Sequence, residues 1–291
     1  MTSRPRPDET ESAEIAPAEY LRRLGEKGDG PHALADAALM LAALDRPEKK
    51  RAPFLSHLTE LAETVRIDVD FAPNGEFAVG ALSSVIAGRF GYEGDRSHYD
   101  DPQNADLMAV IERRRGLPVA LGILYIHAAR SCGIQACGLL SPGHFLLRIS
   151  VKGNEALLDP FNGGALVDRE QVTGPGFGAP PHLPEPGAAE DLDPFTPVSD
   201  TDVLLRLQNN IKNRALHVRD IGRAIEIVRR MTLIAPRRNA LWLELAHLQE
   251  STGSLSAARS AYETCLKLSR AGDDISNEAA FALHALKRRL N

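Results

Sequence analysis

Two side chains in this sequence stand where acid–base chemistry could be done. His144 follows Ser141-Pro142-Gly143, and Asp159 sits within Leu158-Asp159-Pro160-Phe161-Asn162-Gly163-Gly164. A carboxylate beside an imidazole fixes its tautomer and stabilises the imidazolium, as a general base requires. The alternative is structural: His144 is a buried histidine bonded near the Pro-Gly turn, and Asp159 caps the turn at Pro160. Spacing alone leaves both readings open.

Positioning such a pair calls for two adjacent strands. Short strands are expected over 135–140, 145–151 and 156–158, with Lys152-Gly153-Asn154 as the turn between the last two. With an even number of loop residues, positions 144 and 159 fall on the same sheet face. Ahead of the strands, Gly116-Leu117-Pro118 ends one helix, from about Asn104 to Arg115, and opens another, to Cys132. Val119, Ala120, Leu121, Ile123, Leu124, Ile126, Ala128 and Ala129 cover nearly its whole circumference, so it is expected to be buried. Earlier helices are read from Pro17 to Val65 and from Phe77 to Phe90, followed by a loop from Gly94 to Pro102. A buried helix feeding an antiparallel sheet is an α+β arrangement.

Residues 173–197 contain eleven Gly or Pro in 25 positions and read as a linker. The helical pattern then resumes. Ala224 and Ala258 lie 34 residues apart, and Trp242, Leu245, Ala246 and Tyr262 fall on tetratricopeptide spacing. The domain reading is a disordered tail over 1–14, a core domain over 15–172 (helical part 15–92, core 93–172), the linker over 173–197, and a helical repeat domain over 198–291.

The composition, 43% hydrophobic and 25% charged with a net charge of −5, is that of a soluble globular protein and argues for neither a nucleic-acid nor a membrane partner. No apolar run reaches the roughly 20 residues that span a bilayer. Cys132, Cys137 and Cys265, without CxxC spacing, point to a reducing compartment, hence the cytoplasm, and to neither a disulfide framework nor a cysteine zinc site. No metal site or cofactor is expected.

Asn104 and Glu112, eight residues apart, are candidate binding residues on one helix face, and Arg114, within Arg113-Arg114-Arg115, is a candidate anchor for an acidic ligand. The blander reading of the arginines is that they close a helix. The loop acids Asp95, Asp100 and Asp101 lack EF-hand spacing and are expected to bond their own backbone.

A helix opened by Gly116-Leu117-Pro118, with Gly133 fifteen residues on, then His on one strand and Asp-Pro after the next, resembles the transglutaminase-like superfamily, in which that helix opens with Gly-X-Cys. His98-Tyr99-Asp100-Asp101-Pro102-Gln103-Asn104, Glu112 to Pro118, Pro142-Gly143-His144-Phe145 and Leu158 to Gly164 are similar to its SirB-type bacterial group, which joins such a core to tetratricopeptide-like helices. The resemblance implies a papain-like core and a Cys-His-Asp triad made of the nucleophile, His144 and Asp159. Counting back fifteen from Gly133, however, puts Pro118 at the nucleophile position, and a two-residue slip puts Ala120 there. Neither bears a nucleophilic atom. The expected function is therefore a pseudoenzyme that binds a protein or peptide through the groove beside His144 and the repeat helices. The alternative is a hydrolase in which His144 and Asp159 activate water or a hydroxyl without a thioester.

Overall fold

The computed structural model describes residues 15–141, 144–151, 153–173, 193 and 195–290, without the side chains of Leu140, Ser141, His144, Thr173 and Leu290. The proposed tail over 1–14 and most of the proposed linker over 173–197 lie outside the described residues.

Helices α1 (Pro17–Glu26), α2 (Leu34–Asp45), α3 (Ala52–Asp70) and α4 (Gly75–Ser83) come first. Asn74 caps α4 by accepting the Phe77 N–H at 3.1 Å. The helix expected to reach Phe90 changes pitch: Ser84–Arg89 is a π-helical turn, a rare form that recurs at functional sites. Strand β1 (Glu93–Gly94) then pairs in parallel with β2 (Arg115–Gly116). Between them lie a 3₁₀ turn (Pro102–Ala105) and α5 (Leu107–Arg113). The single helix expected from Asn104 to Arg115 is thus three pieces, because Asp106 turns extended to cap α5 and Arg114 enters the left-handed region at φ 60°.

Helix α6 (Pro118–Ser131) is the buried helix expected from its apolar girdle. Pro118 takes its first position after an extended Leu117, and Ile123, Leu124, Tyr125 and Ile126 are fully buried. Strands β3 (Gln135–Ser141), β4 (His144–Val151), β5 (Asn154–Asp159) and β6 (Ala165–Leu166) follow as an antiparallel sheet in sequential order. One face meets α6: Phe145 comes within 2.4 Å of where a Cβ on Gly122 would stand. Alternation gives Leu146 to the opposite face, with Leu139, Leu157, Val172 and Phe195. Arg130, in the last turn of α6, forks onto Asp200 at 2.6 and 2.9 Å. The short helix α7 (Arg169–Thr173) ends this part of the chain.

The helices after it are α8 (Asp200–His217), α9 (Ile221–Ile234), α10 (Asn239–Ser251), α11 (Leu255–Leu268) and α12 (Asp274–Leu290). By its contacts the chain forms two compact units, one reaching Tyr20 and resuming over Gly30–Leu207, the other Leu21–Asp29 with the residues from Gln208 on. In the second unit Ala224 and Ala258, 34 residues apart, are fully buried, as small residues between paired helices should be. Trp242 donates its indole N–H to the Pro236 carbonyl at 2.9 Å, and the Tyr262 hydroxyl meets Glu250 at 2.9 Å. Their rings therefore fill space while their polar tips stay paired. No helix of the described residues is long and apolar enough to cross a membrane.

Candidate functional site

The turn after β5 is built by its own sequence. Pro160 fixes φ and starts a 3₁₀ turn, and Asp159, only 1% exposed, caps it. Its Oδ1 accepts the backbone N–H of Phe161 at 2.9 Å and of Asn162 at 3.2 Å. Its Oδ2 accepts the Asn162 side-chain amide. The turn closes through the Gly164 N–H, which donates to the Asp159 carbonyl at 2.8 Å. Gly164 has φ +73°, and a Cβ there would lie 2.4 Å from Ser83 Oγ and 2.6 Å from the Tyr125 hydroxyl. Only glycine satisfies both the backbone and the space. Ser83 donates to the Gly164 carbonyl at 2.6 Å, tying the turn to the end of α4.

Beside this turn opens a cleft of about 810 Å³. The 91–98 segment, the π-helical turn at Ala87, and Phe161 with Asn162 form its walls, and Arg113 and Arg115 reach into it. Phe161 seats against Gly94, within 2.4 Å of where a Cβ would be, so the ring lies directly on β1. Arg113 pairs with Asp95 at 2.8 Å, and Arg115 pairs with Glu93. Burial alone would raise the Asp95 carboxyl, but the His98 N–H and the Arg113 guanidinium hold it below the usual range. Asp95 and Asp101 each accept backbone N–H groups of their own loop, at 2.9 Å from His98 and from Gln103. No group of three or more metal-ligating side chains occurs among the described residues.

The candidate binding residues do not share a face. Asn104 is completely buried. Its amide donates to the His98 carbonyl at 2.7 Å and accepts from Arg113 at 3.2 Å, while its carbonyl accepts the Leu117 N–H at 2.9 Å. It fastens the 98–104 loop to the start of α6. Glu112 points away, 43% exposed, and pairs with Lys49. Arg114 turns from the cleft toward α3: it donates to His57 Nε2 at 2.6 Å and to the Tyr92 hydroxyl, and lies 4.7 Å from the centre of the Tyr92 ring. Burial first, and the Arg114 guanidinium second, depress His57 to about 4. The cleft is reached by its two neighbours, Arg113 and Arg115, because the left-handed turn at Arg114 swings that side chain to the other side.

At the expected nucleophile position Pro118 is buried in the first turn of α6, followed by Val119 at 1% and Ala120 at 0% exposure. Cys132 caps the far end of α6, where burial, and Asp70 next, push its thiol up. Cys265 is a buried residue of the repeat helices, with its thiol raised mainly by burial. Cys137 stands in β3, opposite Arg148 of β4. For the histidine, the structure gives the backbone: position 144 pairs with Ser141 and shares the parity of Arg148, whose partner Leu157 shares that of Asp159. Val151 of β4 pairs with Asn154, so Asn154, expected in the turn, already belongs to β5.

Sequence reasoning missed Arg96, Asn162, Tyr125 and Ser83. Arg96 lies 5.1 Å over the Phe161 ring and donates to Asn162 Oδ1. Tyr125 is fully buried, and its hydroxyl, although close to Ser83, has no hydrogen-bond partner of sound geometry among the described residues. Burial pushes its phenol up; Ser83 opposes this and Asp159 adds to it. The paired glycines at 163–164 were the available signal of a close approach there.

The fold is that of a known class. Residues 52–209 match the model of the transglutaminase-like superfamily, more than half of the chain, and residues 211–287 match the tetratricopeptide repeat. The protein belongs to the transglutaminase-like superfamily and joins that domain to tetratricopeptide helices. It is similar to a UPF0162 protein of Xylella fastidiosa strain Temecula1, at 28% identity over 74% of this chain and 78% of the relative. A UPF0162 protein of Pseudomonas aeruginosa is 34% identical over 47% of this chain and 49% of its own length. Human F-box only protein 21 is 32% identical over 28% of this chain and 13% of its own.

Proposed function

We propose that this protein is a non-catalytic member of its superfamily, a cytoplasmic module that binds a protein or peptide. The observation that carries the reading is the first turn of α6, where Pro118, Val119 and Ala120 offer no nucleophilic atom. A thiol gains nucleophilicity at a helix N-terminus, and the one cysteine on this helix is at its other end. The tetratricopeptide match supports the binding half of the proposal, since stacked helical pairs present extended surfaces to peptides. The joined architecture also supports placing the chain with the SirB-type proteins, and its three free thiols suit a reducing compartment.

Fluorescence polarisation with degenerate octapeptide pools, run beside amide, ester and phosphoester turnover assays, tests it. Saturable peptide binding without turnover is expected. Turnover that disappears in His144→Ala would establish the alternative, a hydrolase in which His144 and Asp159 activate water or a hydroxyl.

A further inference from the structure

Three guanidinium groups line the cleft beside the Asp159 turn, and they are not equivalent. Arg113 and Arg115 are neutralised by Asp95 and Glu93. Arg96 has no carboxylate partner among the described residues. One of its faces lies on the Phe161 ring at 5.1 Å, and Nη2 donates to Asn162 Oδ1. Asn162 is held in turn, since Asp159 accepts both its backbone N–H, at 3.2 Å, and its side-chain amide. With its amide nitrogen turned to a carboxylate, Asn162 can only present its oxygen to Arg96. A buried acid thus fixes an amide, and the amide and an aromatic ring fix an exposed cation at the mouth of the cleft.

We infer that Arg96 receives the carboxylate of a peptide bound in this cleft, and that Asp159, acting through Asn162, is the positioning residue that aims it. The inference rests on the peptide-binding reading above and names the chemistry the cleft selects. Arg113 is shared by Asp95 at 2.8 Å and Asp101 at 3.8 Å and Arg115 is taken by Glu93, so the charge left for a ligand is that of Arg96. A guanidinium edge is planar and forked, the shape that pairs with a carboxylate through two parallel hydrogen bonds. Glu93 and Asp95 in the same wall repel a dianionic phosphate more than a monoanion. Holding Arg96 in advance spares the ordering cost that a free arginine incurs on binding. The carboxylate can come from a chain terminus or from an acidic side chain, and the experiment separates the two.

The test is NMR of the full-length protein, following the side-chain Nε–H signal of Arg96, assigned by its loss in Arg96→Lys. N-acetylglycine should shift that signal saturably and N-acetylglycinamide should not; equal responses to the two, or a stronger response to inorganic phosphate, would overturn the inference. Asn162→Ala, which leaves the Asp159 cap of the backbone in place, should weaken the response about tenfold, and an unchanged response removes the positioning role. Octapeptide pools without acidic residues, free or amidated at the C-terminus, and an amidated pool with one Glu, then identify the source. Binding by the free-acid pool alone assigns a chain terminus, and binding restored by Glu assigns a side chain. If all pools bind alike and Arg96→Gln changes nothing, the carboxylate inference falls while peptide binding stands. If N-acetylglycine shifts Arg96 and no pool binds, the peptide reading falls and the anion site stands.

Discussion

Asp159 and Asn162 are joined twice, through the Asn162 backbone N–H at 3.2 Å and through its side-chain amide. The acid that the superfamily pattern assigns to a catalytic pair also holds a turn, with a further bond from the Phe161 N–H at 2.9 Å. Asp159→Ala leaves the buried Phe161 N–H without its acceptor and turns the donors of the exposed Asn162 over to water, so a loss of about 1–3 kcal/mol is expected in urea unfolding. Asp159→Asn keeps the Oδ1 acceptor and should lose about half of that. Equal stability of wild type and Asp159→Ala would show that the turn does not depend on its cap.

Gly164→Ala places a methyl group 2.4 Å from Ser83 Oγ at a φ of +73°. The backbone penalty alone is about 1 kcal/mol, and the contact adds to it. Adding Ser83→Ala should recover only part of the loss, because the backbone term persists; full recovery would assign the whole cost to the contact. Tyr125→Phe removes a buried hydroxyl that has no partner among the described residues, and is expected to leave stability unchanged or raise it. A fall of more than about 1 kcal/mol, the worth of an ordinary hydrogen bond, would reveal one to Ser83.

His57 gives the fold a dependence on mild acid. Its pKa falls from 6.5 to about 4 on folding. Between these values the unfolded chain holds the extra proton, so stability drops as pH falls from 6.5 towards 4 and is constant, for this group, above 6.5. Solvent at the ring screens Arg114, and a contribution of about 1 kcal/mol is reasonable. Urea midpoints measured across this window should fall less steeply in His57→Gln than in wild type. Parallel slopes would remove His57 from the account.

The sequence made the large features legible where one local rule sufficed. A helix apolar on every side has to be buried, and α6 is; the change to short strand-like runs after Gly133, with a Gly-Asn turn signal between the last two, pointed to β3, β4 and β5; the 34-residue spacing of Ala224 and Ala258 pointed to the repeat. What escaped depends on distant partners. Arg96 matters because Asn162, 66 residues later, comes beside it, and no period connects the two. Asn104 and Glu112 looked co-facial only while one helix ran through both. Asp106 taking an extended conformation as a cap breaks that helix, burying Asn104 and exposing Glu112. Arg114 was one member of an arginine triplet by sequence, and its left-handed backbone separates it from Arg113 and Arg115.

Asn104→Ala should therefore act on stability more than on any ligand. The Asn104 side chain bonds the His98 carbonyl and Arg113, both across the loop that leads to α6. Its loss leaves Arg113 to Asp95 at 2.8 Å and Asp101 at 3.8 Å and frees the loop, at a cost of about 2–3 kcal/mol. Peptide affinity measured well below the unfolding transition should change less than threefold, or under about 0.7 kcal/mol. A large loss of affinity in a folded Asn104→Ala would make it a ligand contact after all.

The vacancy at position 118 can be filled directly. Pro118→Cys puts a thiol at the first turn of α6, where the helix dipole favours thiolate but burial among Val119, Ala120 and their neighbours opposes it. A nucleophile alone does not make a site, since acyl transfer also requires donors aimed at the developing oxyanion and a substrate channel to position 118. The structure also gives Asp159 a task in its turn that restoring the thiol does not undo. The variant is expected to fold and to incorporate no fluorescent amine into a glutamine peptide above the background of Pro118→Ser. Amine incorporation that is lost again on adding His144→Ala would show that the rest of a transglutaminase-like site is intact, and that only the nucleophile separates this protein from an enzyme.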